Sequence, residues 1–151
     1  MGAEMTPREL ESGQSLVEFT FGLIILLMLV VGIVDASRAL ITYLAMRDAA
    51  QEGALYGSTD PTNTTAIRER VRDSSDLMQD ICPGDVTNCD DPGDPVYVDV
   101  QVGAACMGEG ITVTIHYYEF PLVMPLIGAV VGGQTVPISA SVTDTILRPP
   151  C

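Results

Sequence analysis

Four cysteines, one histidine, a run of aspartates and a glutamate set into an apolar stretch are the residues of this chain with types suited to chemistry. Cys82, Cys89, Cys106 and Cys151 allow three full pairings. Cys82-Pro-Gly-Asp-Val-Thr-Asn-Cys89 would close a short loop of turn residues, a plausible disulfide in an oxidising compartment. Cys82 or Cys89 with Cys106 is nearly as plausible, and Cys151 is either free or bridged to another chain. A structural metal would want closely spaced ligands such as C-x₂-C with a partner set, but the one histidine, His116, lies between Thr114 and Tyr117 in a strand-like run. It has no Ser or Cys partner in sequence for nucleophilic catalysis. Asp85, Asp90, Asp91, Asp94 and Asp99 offer the oxygens that Ca²⁺ takes, yet their spacing is not that of an EF-hand, and a solvated loop is the simpler reading. Gly128 to Thr135 is rich in glycine but apolar and without Lys, so it does not read as a phosphate cradle. No catalytic residue and no cofactor is expected, and the chain is not read as an enzyme.

The glutamate is Glu18, in Ser12-Gly13-Gln14-Ser15-Leu16-Val17-Glu18-Phe19. A carboxylate one turn into a membrane-spanning helix is costly unless paired, protonated or drawn back to water at the interface. If the chain were cut after Gly13, Gln14 would become the first residue and Glu18 the fifth. The new α-amine is a cation that Glu18 of a neighbouring copy could compensate, and a helix N-terminus favours the acid through its dipole.

The elements that must position Glu18 follow from where charge and apolarity sit. The 151 residues carry 20 acids and 7 bases, all Arg, for a formal charge of −13, yet the mean hydropathy is +0.31. The absence of Lys and the sparse Arg exclude a polybasic surface, so no nucleic-acid partner is expected, and Lys Schiff-base chemistry is excluded as well. Residues 1–13 and 14–57 each net −2, while 58–151 nets −9. Phe19 to Val34 is 16 residues without a charge. Ser15 to Val34 makes about 30 Å of helix, enough to cross a hydrocarbon core. A secretory peptide would have a basic leader and a small-residue cleavage site after the apolar run. Here the leader is acidic and Val34-Asp35-Ala36-Ser37-Arg38 continues as helix.

Residues 35–57 keep helical character: Ala36, Ala39, Leu40, Tyr43, Leu44 and Ala50 fall near three- and four-residue spacing, with Arg38, Arg47, Asp48 and Glu52 available to face water. The pair Asp35 and Arg38, three apart, adds only a few tenths of a kcal/mol, roughly, on an exposed helix. A helix from Gln14 to about Tyr56 would be about twice a membrane thickness, so half of it must project towards a head domain or other copies. Beyond it, Asp60-Pro61 reads as a helix start and Ile67, Val71, Met78 and Ile81 as an amphipathic helix over about 62–80. Three alternating runs then predict antiparallel strands: Val96 to Val102, Ile111 to Tyr117 and Val136 to Val142. Phe120 to Gly133 is an apolar loop, too broken by Pro and Gly to span, placed to cap the core or graze a bilayer.

Gly13-Gln14-Ser15-Leu16-Val17-Glu18-Phe19, the apolar run, Gly32-Ile33-Val34-Asp35 with Arg38-Ala39-Leu40, and Ala49-Ala50-Gln51-Glu52-Gly53-Ala54 together resemble the TadE-like family over residues 13–57. These are pilin-like (pseudopilin) proteins of the tight-adherence, or Flp, type IV pilus system of bacteria. The resemblance implies cleavage by a prepilin peptidase between Gly13 and Gln14, a membrane-held or filament-inserted helix, and a role in pilus assembly or initiation. The expected fold is α+β: a leader (1–13), a long pilin-like helix spanning the membrane in its first half (14–57), and an extracytoplasmic head (58–151) with a short helix and a three- to four-stranded antiparallel sheet. Expected partners are membrane lipid, other pilin-like subunits in a hetero- or homo-oligomer, the assembly machinery and the prepilin peptidase. Glu18 is expected to set register, and Gly22, Gly32, Ala36 and Ala39 to permit close helix packing. The head's size tilts the reading towards a minor pilin. The alternatives are an uncleaved single-pass accessory subunit of a larger envelope complex, or a surface adhesion module using the acidic loop 85–99 or the apolar loop 120–133.

Overall fold

The computed structural model describes residues 7–83, 89–124, 128–129 and 132–148, with backbone alone for 7–13. About three quarters of its helical backbone is one element. Helix α1, Pro7–Gly57, runs 51 residues without a break, about 76 Å at 1.5 Å per residue. It begins earlier than the expected Gln14 and stops where expected, at Gly57. Its apolar stretch is contributed by Leu, Ile and Val on every side, which is why no amphipathic pattern develops until the head is reached.

Two short helices follow where one was expected. Helix α2, Thr64–Asp73, is capped by Asn63, whose side chain accepts from the Ala66 N–H at 3.2 Å. The start is therefore Asn63 rather than Asp60-Pro61, which lie in the preceding turn. The expected helix over 62–80 breaks at Ser74-Ser75. Ser75 is extended (φ −160°, ψ 156°) and its hydroxyl accepts from the Met78 N–H, so it starts a new helix, α3, Asp76–Ile81, instead of continuing the old one. Ile67, Val71 and Met78 are buried, as their spacing implied.

Strands β1, Val96–Val102, β2, Gly110–Pro121, and β3, Thr135–Thr145, form an antiparallel sheet in the order β1-β2-β3. The fold is α+β, with a three-stranded sheet. Alternation sorts the two faces. Val96, Val98, Ile111, Val113, Ile115 and Ala140 point to the core. There they meet Met46, Ala49, Ala50 and Ala54 of α1 and Ile67, Val71 and Met78 of the short helices. The other face carries Thr112 bonded to Thr143 (2.8 Å), Thr114 bonded to Ser141 (2.9 Å), and His116 stacked between Tyr97 and Tyr118. The register shifts between Tyr117 and Phe120, and this turns Phe120 into the core side against Tyr117.

The head is tied to α1 at several points. Arg70 reaches Glu52 (3.8 Å) and lies over the Tyr56 ring. At the top, the Leu147 N–H donates to the Ser58 carbonyl at 2.7 Å.

Candidate functional site

The chemistry-bearing positions fall on α1, and its two halves differ in surroundings. From Gln14 to Val34 no residue is buried; Phe19, Phe21, Ile25 and Leu26 are among the large apolar side chains that meet nothing of the head. Helix Gln14–Gly57 contains an 18-residue apolar stretch none of which is buried, long and apolar enough to cross a membrane. The hydroxyls in and just above that stretch are satisfied locally. Thr20 Oγ1 donates to the Leu16 carbonyl and Ser37 Oγ to the Ile33 carbonyl, both at 2.8 Å, so neither needs water.

Glu18 lies one turn from Gln14 on this bare surface, exposed. Among the described residues its carboxylate has no ion-pair or hydrogen-bond partner, and the helix passes through the Gly13–Gln14 bond without interruption. Of the small residues, Gly22 has open space around it and Ala36 is exposed. Ala39 is half-buried, and a Cβ on Gly32 would sit 3.4 Å from Met124 Sδ.

Asp35 closes the bare stretch, and sequence reasoning underrated it. The residue is almost wholly buried (2% exposed). Both carboxylate oxygens accept from the Val123 N–H at 3.0 Å, and Oδ2 also accepts from the Met124 N–H at 2.7 Å. Arg38 stands 3.7 Å from Oδ1 and places its guanidinium over the Phe120 ring, 5.6 Å from the centroid. The expected Asp35–Arg38 pair is therefore real but secondary. The main role of the acid is to hold the loop after β2, because charge-assisted bonds to backbone donors are the stronger kind. The signal available in the sequence was positional: Asp35 stands one and two heptads before Thr42 and Ala49, which share its face and are buried with it.

Above Asp35 the buried face is Thr42, Met46, Ala49, Ala50, Gly53, Ala54 and Gly57. Leu40, Tyr43 and Leu44, expected on the packing stripe, face outwards instead. Sterics give the reason. A Cβ on Gly53 would lie 2.5 Å from Val71 Cγ2, and one on Gly57 would meet Ile111 Cδ1. The sheet and α2 approach the helix only along its small residues.

Cys82 and Cys89 form a disulfide, one of the pairings left open by spacing, and both are buried. Cys106 is disulfide-bonded as well; Cys151 lies outside the described residues. In the acidic loop, Asp91 accepts from the Gly93 N–H (2.9 Å) and Asp99 accepts from Gln101 (2.7 Å). Asp85 lies outside the described residues, as do residues 125–127 and 130–131 of the apolar loop. Among the described residues no group of three His, Cys, Asp or Glu side chains is disposed to hold a metal ion. Tyr97, on the outer sheet face, has its phenol pKa raised by partial burial and then by the Asp99 carboxylate, against the opposing pull of Arg68.

The geometry thus places three features on one helix: a bare apolar half, an acid near the start of that half with no partner among the described residues, and a buried acid at the end of it. The family model described as TadE-like protein matches residues 13–55 of this chain, almost the whole of that helix from Gly13 onward. The chain carries a TadE-like segment. Searches of curated proteins and of solved structures found no match. The TadE-like match ends inside α1, so Glu18, Asp35 and the small residues up to Ala54 fall within it, and α2, α3 and the sheet fall beyond it. The match points to a protein related to the tight-adherence pilus, and with the long apolar helix it fits a membrane-anchored, pilin-like protein.

Proposed function

We propose that this protein is a membrane-anchored structural subunit that takes part in assembly or initiation of a tight-adherence pilus and works by lateral helix packing rather than catalysis. The observation that carries this reading is the bare half of α1. Exposed Leu, Ile, Val and Phe side chains around a helix with no buried residue from Gln14 to Val34 require an apolar surrounding, either lipid or neighbouring helices. The outward stripe of Ile33, Leu40, Ile41, Leu44 and Leu55 extends that apolar surface past the head, as a helix shared with other pilin-like subunits would need.

In this reading the prepilin peptidase cuts between Gly13 and Gln14. The freed α-amine of one subunit then pairs with Glu18 of another, which fixes axial register. Gly22 and Ala36, both open at the surface, allow the close approach, whereas Gly32 and Ala39 are partly covered by the chain's own head. The head lies outside the cytoplasm, a placement supported by its disulfides, and the N-terminus lies inside. Glu18→Ala is expected to leave membrane insertion intact and to abolish recovery of the protein with its assembly partners. Unchanged co-isolation would refute the role given to Glu18.

A second reading is an uncleaved single-pass accessory subunit of a larger envelope complex. The continuity of α1 through the Gly13–Gln14 bond favours it, since amides inside a regular helix are engaged in the ladder and must unwind to be cut. N-terminal sequencing of protein isolated from its native envelope separates the two. A start at Gln14 supports the pilin-related reading, and an intact leader supports the accessory one.

A further inference from the structure

We propose that the loop after β2, at residues 122–124, lies in the bilayer boundary on the head's side, so that the head touches lipid through Val123 and Met124 instead of standing clear of the membrane. The inference rests on residues 14–34 being the membrane span, and it concerns a different segment of the chain.

Depth is the first argument. Met124 Sδ sits against Gly32, inside the uncharged run that ends at Val34. A hydrocarbon core is about 30 Å thick and a helix rises about 1.5 Å per residue. Counted upwards from Gln14 such a core ends near residue 34; counted from Glu18 it ends near residue 38. Either way Gly32 lies within it, and the loop fastened beside Gly32 and Asp35 reaches the same level.

Backbone chemistry is the second. Irregular backbone at membrane depth is tolerated only where its polar groups are satisfied by protein. The three successive N–H groups of this loop all are: Leu122 donates to the Gln134 carbonyl at 2.8 Å, and Val123 and Met124 donate to the Asp35 carboxylate. The loop in turn covers Asp35, which would otherwise present a bare carboxylate to lipid. The side chains complete the case. Val123 is 59% exposed and joins Ile33 and Val34, also exposed, at this level. The partner chemistry is the acyl and glycerol region of the lipid rather than anionic headgroups, because the head nets −9 and the chain has no Lys.

The chain contains no tryptophan, so a single introduced one reports position without background. Three full-length variants, Val123→Trp, Phe21→Trp and Ser139→Trp, are reconstituted in phosphatidylcholine vesicles containing lipids brominated either near the headgroup end or near the methyl end of the acyl chain. Phe21 marks the span and Ser139 the exposed sheet face. Val123→Trp is expected to be quenched at least threefold more than Ser139→Trp, and more by the shallow bromine than by the deep one. Quenching of Val123→Trp equal to that of Ser139→Trp, with Phe21→Trp strongly quenched, overturns the proposal and leaves the span in place. An unquenched Phe21→Trp overturns the span itself and the proposal with it.

Discussion

Residues 14–34 and 35–57 belong to one unbroken helix and are both rich in apolar side chains, yet the first set touches almost nothing of the chain while the second forms one wall of the head. The difference lies in side-chain size more than in polarity. The lower half presents Leu, Ile, Val and Phe all round; the upper half turns Ala49, Ala50, Gly53, Ala54 and Gly57 inwards and keeps Leu40, Leu44 and Leu55 outside. A bulky surface waits for a fluid or adaptable neighbour, whereas a row of small residues commits the helix to one rigid partner at close range.

The largest test of this contrast is a paired truncation. Ile115→Ala, in the head core, is expected to destabilise the head by about 2–5 kcal/mol through lost burial and a residual cavity. Leu27→Ala, in the lower half, should leave thermal unfolding of the head in detergent unchanged. A comparable loss from Leu27→Ala would break the division between the halves. Next is Asp35→Ala, which strands the Val123 and Met124 N–H groups and should cost about 2–3 kcal/mol. Faster proteolysis within the β2–β3 connection is the local readout, and Asp35→Asn, which keeps an acceptor, should be milder. Gly53→Val forces a side chain against Val71 and is expected to cost about 1–3 kcal/mol, while Gly22→Val should cost the head nothing. Equal melting of those two variants would show that close approach is not what distinguishes the halves.

The smallest effect belongs to the outer face of the sheet, which neither half of the helix touches. Tyr97 holds its proton to higher pH than a free tyrosine. Its raised pKa contributes stability that is complete below the unfolded value of 10.0 and is lost as pH rises through the folded value. Asp99→Asn should bring ionisation of Tyr97 to lower pH, as followed by phenolate absorbance against a Tyr97→Phe background.

The sequence made the strands and the bare half of α1 legible because both depend on near-neighbour patterns. Valines and isoleucines alternating at Val96, Val98 and Val100 or Ile111, Val113 and Ile115 admit one face each, and 16 uncharged residues admit one helix. What stayed hidden depends on which surface comes opposite. Leu40 and Leu44 have the spacing of a packing stripe, and only the position of Val71 and Ile111 shows that Gly53 and Gly57 take that place. Asp35 looked like half of a weak surface pair until a loop 88 residues away supplied its donors. The split between α2 and α3 turns on Ser75 choosing an extended backbone, a choice that helix spacing across residues 67–81 does not record.

The head is fastened to α1 at two heights, by Asp35 to Val123 and Met124 at the bottom and by the Ser58 carbonyl to Leu147 at the top, about 35 Å apart along the axis. A body pinned at two such points on a rod has no hinge. Any turn or tilt of the helix in its surroundings is therefore delivered undiminished to the sheet, and the three strands act as a pointer whose bearing reports the orientation of the helix below.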